Sequence, residues 1–183
     1  MRNDQKALAD IYTRIITEST GRKVIKGHVN LDNLFLTVLP EWLSDVEVVG
    51  SFYCYNNKLT TLQGGPKTVG GVFYCSNNKL TTLQGAPETV EGNFYCDSNK
   101  LTTLQGAPKT VEGGFSCHNN KLTTLQGGPK TVGGGFYCYD NKLTTLQGAP
   151  KTVGGGFSCH DNPGNFTAED VRAVSRVDGD IYV

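Results

Sequence analysis

The sequence predicts a solenoid of stacked short repeats, with a parallel β-sheet of about eight strands on one face and an irregular opposite side. Three observations predict it. Cys54, Cys75, Cys96, Cys117, Cys138 and Cys159 stand 21 residues apart and are the only cysteines in the 183-residue chain. Around each of them the pattern V-x-G-x-F-x-C-x-x-N-K-L-T-T-L-Q-G-x-P-x-T recurs. One strand and a return path in so few residues cannot build an independent core, so the units must stack.

The ends must be capped, because an open solenoid exposes core and strand edges. Leu8, Ile11, Tyr12, Ile15 and Ile16 follow helical spacing, which predicts a capping helix with Gly21 as its stop. In "IKGHVNL", Ile25, Gly27, Val29 and Leu31 take the buried phase of a first strand, and Leu34, Leu36 and Leu39 continue in register. Within each repeat the first seven positions alternate. Val90, Gly92, Phe94 and Cys96 point inward, while Glu91, Asn93, Tyr95 and Asp97 point outward. "QGAP" is turn chemistry, with a permissive glycine and a proline that stops pairing. Strands start near residues 25, 48, 69, 90, 111, 132, 153 and 177. At ~4.8 Å per strand they make a sheet about 34 Å long. Thr167 and Asp170 form a capping-box pair that predicts a short helix through Val171 and Val174, leading into a last strand at "VDGDIYV". The expected organisation is a helical cap over 1–22, repeats over 23–162, and a C-terminal cap over 163–183.

"F-x-C-x-x-N-x-L-x-x-L" resembles the leucine-rich repeat, with Phe and Cys in leucine places. The short repeat and its proline turn resemble those of bacterial secreted effectors. "NKLTTLQGAPETVEGNFYC" looks most like repeat proteins encoded by tailed bacteriophages. The resemblance covers about residues 24–162. It implies a leucine-rich-repeat solenoid whose exposed strand face is the concave, partner-binding surface.

In a solenoid each repeat position becomes a column. The cysteine column reads as small buried hydrophobes. Zinc needs about four converging ligands, which a straight row does not supply. In-register parallel strands aim Cβ vectors side by side, which suits disulfides poorly. A buried apolar thiol has its pKa raised, the opposite of what a nucleophile needs. Asn57, Asn78, Asn99, Asn120, Asn141 and Asn162 read as a structural ladder that bonds backbone groups where the chain leaves the strand. Lys58, Lys79, Lys100, Lys121 and Lys142 form one exposed row. Lys67, Lys109, Lys130 and Lys151 form another, broken by Glu88.

The outward strand positions vary. Tyr53, Tyr55, Tyr74, Tyr95, Tyr137, Tyr139 and Tyr182 lie there, with His28, His118 and His160. Glu91, Asp97, Glu112, Asp178 and Asp180 join them, and Gly133, Gly135, Gly154 and Gly156 leave room for close approach. Tyrosine offers a rigid contact surface and a hydroxyl at low entropic cost, so this face reads as a recognition surface. His118 and His160 sit two strands apart in one column, about 9.6 Å, too wide to share a metal directly.

Net charge is zero, so no global field points to nucleic acid or membrane. Nine lysines against six acids between residues 51 and 162 leave only +3 there. No apolar run approaches the ~20 residues of a membrane span. The N-terminus lacks a signal-peptide apolar region, which predicts a cytoplasmic protein. No cofactor motif is present. The first reading is therefore a non-enzymatic module that binds a protein partner through Tyr53, Tyr55, Tyr74, Tyr95, Tyr137, Tyr139, Tyr182, His118, His160, Glu91, Asp97 and Glu112. The phage resemblance implies that the partner is a bacterial host or defence factor blocked by occupancy. Alternative readings are a nucleic-acid binder using the lysine rows, a hydrolase using His118 and Asp97, and a structural or virion component. The hydrolase reading lacks an evident nucleophile–base–orienter set.

Overall fold

The computed structural model describes residues 3–183. The chain is a parallel β-solenoid with eight strands in one sheet and nine in the other. The register repeats down the stack: Phe52 pairs with Phe73, Phe73 with Phe94, Phe94 with Phe115, Phe115 with Phe136, and Phe136 with Phe157. The step lengthens to 23 residues between Val29 and Phe52, and to 24 between Phe157 and Ile181. The first longer step holds a 3-10 turn at Glu41–Leu43 and the last holds a helix at Ala168–Val174.

The alternation places the core correctly but hides a bend. The single strand expected in each repeat is two short strands, such as Thr89–Val90 and Phe94–Tyr95, which belong to different sheets. The bend falls at the glycine column. A Cβ on Gly92 would lie 2.6 Å from the Gly71 carbonyl carbon, so only glycine lets successive turns approach this closely. Backbone bonding changes direction there. Gly92 N donates back to Gly71 O at 3.1 Å, whereas Phe94 N donates forward to Gly114 O at 2.8 Å. The inward phase survives because both sheets face one core. The Val, Phe and Cys columns and the two Leu columns fill it. Neighbouring Phe rings lie 5.1–5.7 Å apart, mostly parallel.

The asparagine ladder closes each turn. Asn120 Oδ1 accepts from Leu101 N of the preceding repeat at 2.9 Å. Its amide group donates to the carbonyls of Cys96 and Cys117, both at 3.1 Å. The same side chain thus ties two turns together at the point where the strand ends. Just before it, the chain needs a left-handed residue. Asn56, Asn77, Ser98, Asn119, Asp140 and Asp161 supply it at φ 51–54°.

The N-terminal cap differs from the expected long helix. Helix α1 covers Asn3–Tyr12, and Ile16–Thr17 forms a strand, β1, antiparallel to β2 (Lys23–Ile25). The run Ile15-Ile16-Thr17 is β-branched and prefers a strand. Gly21 does not stop the helix. At φ 82° it sits in the β1–β2 turn, with its N–H on Glu18 O at 2.9 Å. Ile11 is buried and Leu8 and Ile15 pack against the core, but Tyr12 and Ile16 are exposed. Strand β1 covers the edge that the first repeat would otherwise leave unpaired.

At the far end, Thr167 Oγ1 accepts from Asp170 N at 3.2 Å while Thr167 N donates to the Asp170 carboxylate at 2.9 Å. This capping box starts helix α2 (Ala168–Val174), whose Val171 is fully buried. Ile181–Tyr182 then closes the second sheet.

Replacing Asn120 by Ala leaves the buried Leu101 N–H unpaired and removes one of the two amide donors to each of the Cys96 and Cys117 carbonyls. It is expected to lower stability by about 1–3 kcal/mol or more in urea unfolding. Lys121→Ala next to it should stay within about 0.5 kcal/mol. Equal effects from the two substitutions would show that the ladder does not hold the turns together.

Candidate functional site

The outward positions of the second sheet carry two aromatic stacks. Tyr55 lies on Tyr74 at 5.3 Å with planes 18° apart, and Tyr74 meets Tyr95 at 5.2 Å, tilted by 59°. Farther along, His118, Tyr139 and His160 form a near-parallel column at 4.4 and 4.6 Å. The strand spacing sets these distances, so the rings are held by the backbone register. Tyr139 fills the space between the two histidines that column spacing predicted to be wide.

Between the stacks the tyrosine column is interrupted. Tyr95 and Tyr137 flank Ser116 on the strand between them. A cavity of about 340 Å³ opens there, lined by Tyr74, Tyr95, Asp97, Ser116, His118, Tyr137 and Tyr139. The Asp97 side chain is only 15% exposed. Ser76 Oγ donates to Asp97 Oδ1 at 2.6 Å, and Ser98 Oγ reaches Oδ2 at 3.4 Å. His118 Nε2 lies 3.9 Å from Asp97 Oδ2, and His118 Nδ1 shares a hydrogen bond with Ser116 Oγ at 2.8 Å. Burial first, and the Asp97 charge second, push the Tyr74 and Tyr139 phenols above their ordinary pKa. Both stay neutral in solution near pH 7.

Tyr95 is positioned by Asn93, whose Nδ2 donates to the phenol oxygen at 2.8 Å. Asn93 Oδ1 also accepts from Gly114 N at 2.7 Å, which ties the next turn to the same side chain. The Tyr137 ring folds back over Gly135, so that glycine's room is already filled by a neighbour rather than left open.

The remaining expected residues are more dispersed. Tyr53 lies 6.3 Å from the His28 ring, whose Nδ1 accepts from Ser51 N. Glu91 and Glu112 are exposed beside the first sheet and do not line the cavity. His160 Nδ1 bonds Asp161 Oδ2 at 2.7 Å. Tyr182 stands at the C-terminal edge, exposed, with its hydroxyl on Asp180 at 3.4 Å. Of the twelve expected site residues, the structure gathers Tyr74, Tyr95, Asp97, His118, Tyr137 and Tyr139 around one cavity. Ser116 is the member that residue-type reasoning missed. Its signal is visible in the sequence as a serine in a column otherwise rich in tyrosine.

Ser116, His118 and Asp97 contain the residue types of a hydrolytic triad, but the geometry does not suit that chemistry. Ser116 is 4% exposed. The neighbouring Cys117 N–H is spent on Tyr137 O at 2.8 Å and the Phe115 N–H on Gly135 O at 2.9 Å. An oxyanion needs free donors beside the nucleophile. Among the described residues, no group of three or more His, Cys, Asp or Glu side chains is placed to hold a metal ion. No described helix is long and apolar enough to cross a membrane.

The cysteine column is buried and every thiol is free. Burial raises each thiol pKa, well beyond the usual range in the interior repeats. Cys159 beneath the C-terminal cap rises less, to about 11. The lysine rows are exposed, and among the described residues none of their members forms an ion pair. No family model matches the chain, and no curated protein matches it.

The native thiols should resist a disulfide reagent at neutral pH, with Cys159 the first to react. Above about pH 9 the unfolded thiols lose protons while the folded ones keep them. The native state then binds more protons, so stability falls as pH rises, with a slope approaching roughly 7 kcal/mol per pH unit for the five interior thiols and a share from Cys159 that fades near pH 11. Below pH 8 both states hold these protons and the thiols contribute no slope. Urea unfolding across pH 7–11 checks this. Flat stability above pH 9 would contradict it.

Proposed function

We propose that the chain is a non-enzymatic module that binds a protein partner through the tyrosine-rich outward strand face. The observation that carries the reading is the preset aromatic surface. Tyr55, Tyr74, Tyr95, Tyr139 and two histidines are stacked on a sheet whose register leaves them little freedom. Side chains ordered before binding lose little entropy on contact, and tyrosine and histidine offer both apolar area and polar tips. Charge supports a protein partner over a nucleic acid at this face. Outward strand positions from 46 to 160 hold Glu47, Glu91, Asp97 and Glu112 and no lysine or arginine. The resemblance of the repeats to those of tailed bacteriophages supports a partner in the bacterial host, such as a defence factor, blocked by occupancy in the cytoplasm. Six unpaired buried thiols suit that reducing compartment.

A second reading rests on the lysine rows. Lys58, Lys79, Lys100, Lys121 and Lys142 follow the strand spacing along one edge and are exposed. A nucleic acid tracking that edge would show affinity falling steeply with salt.

Changing Tyr53, Tyr74, Tyr95 and Tyr137 together to Ala should abolish capture of the host partner in affinity purification, with the circular dichroism spectrum retained. Unchanged capture by the folded variant would contradict the assignment of this face. Salt-sensitive binding of DNA or RNA, lost on replacing the lysine rows, would favour the second reading.

A further inference from the structure

The cavity at Ser116 combines a gap in the tyrosine column with a shielded carboxylate in its wall. Its flanks are Tyr95 and Tyr137, two strands apart, or about 9.6 Å. That is about twice the spacing of the ring pairs beside it, 4.4 to 5.3 Å. By strand spacing the gap is wide enough for one flat group between the two tyrosines, above a Ser116 floor that is itself only 4% exposed. Ser116 creates the gap, since Tyr53, Tyr74, Tyr95 and Tyr137 fill their positions of this column with a ring; Ser158 interrupts the column again between Tyr137 and Tyr182, but there Tyr139 stands in the place that Asp97 holds beside Ser116. The wall carries a carboxylate. Asp97 is largely shielded from water and receives hydroxyls from Ser76 and Ser98. Its nearest basic group is the imidazole of His118 at 3.9 Å, beyond hydrogen-bond length. A shielded carboxylate without a firm cationic partner attracts a cation strongly, and tyrosine faces attract the same charge.

We infer that this notch receives the guanidinium group of an arginine side chain from the protein partner, stacked between Tyr95 and Tyr137 and hydrogen-bonded to Asp97. A guanidinium is flat, permanently charged and forked, so it meets all three features of the site at once. A lysine ammonium answers the charge but not the slot. A nucleobase answers the slot, but its attached phosphates meet the Asp97 carboxylate in the wall. The raised phenol pKa values of Tyr74 and Tyr139 fit a pocket that already feels the Asp97 charge. The inference deepens the protein-binding reading and rests on it for the source of the arginine.

The test titrates isotopically labelled protein with N-acetyl-arginine methylamide and follows nuclear magnetic resonance shifts. Saturable shifts at Tyr95, Ser116, His118 and Tyr137 are expected, with a dissociation constant on the order of a millimolar. The citrulline analogue, flat but neutral, and the lysine analogue should each bind about tenfold more weakly or worse. Ser116→Tyr refills the gap with the repeat's own residue and should abolish the shifts with the fold intact. Asp97→Asn should weaken binding by about tenfold or more. The inference is overturned if the arginine probe gives no saturable shifts, or if citrulline or lysine matches it. It is also overturned if Ser116→Tyr binds as well as the parent. Those outcomes leave the wider reading standing if the four-tyrosine variant still loses its partner. Retained capture by that variant, beside a responsive notch, would sink the wider reading alone.

Discussion

Everything in this molecule depends on backbone hydrogen bonds that run between turns rather than within them. Each turn donates backward through one sheet and forward through the other, as Gly92 and Phe94 do within three residues of chain. A turn alone would leave both sets of groups unpaired, and buried unpaired groups are costly. Stacking satisfies them only in one register, which the asparagine ladder enforces by joining each strand end to the preceding turn. The ends are where this logic fails, and there the chain changes its pattern. An antiparallel strand covers one edge and a capped helix leads into the last strand at the other.

Register also decides what each column can do. The cysteines lie in a straight buried row, where burial keeps the thiols protonated, and they pack as small apolar groups. The outward columns lie outside the apolar core, so their residues differ between repeats. Because the backbone spacing is constant, each change on that face has a geometric meaning. Histidines in one column continue a stack, one on each side of Tyr139. A serine in the neighbouring column opens a gap one ring wide.

Most of the fold was legible from the repeat. Alternation around Phe94 and Cys96 gave the buried phase, the asparagine column gave the turn closure, and Thr167 with Asp170 gave the second helix. The split into two sheets was hidden because the inward phase runs unbroken through the bend at Gly92. Close contact between turns, which alternation does not encode, is what requires glycine there. The first helix was over-extended because Ile15 and Ile16 fit helical spacing and β-branched preference equally well; pairing of Ile16 with Val24 decided for the strand. For the site, residue type identified the tyrosines and His118. The cavity was not legible, since it arises from an absence at Ser116 seen across three strands. Glu91 and Glu112 shared the outward phase but lie beside the other sheet, a distinction that needed the bend.

Register between turns can be tested by removing one. Deleting residues 69–89 takes out one 21-residue period, and deleting residues 70–89 leaves the register one residue long. Thermal unfolding of the two proteins compares them directly. The account predicts that the whole-period deletion folds cooperatively with the parental circular dichroism spectrum. The other deletion moves the buried columns to the outer face at the junction and should lose cooperative unfolding. Equal stability of the two would contradict the claim that inter-turn register governs the structure.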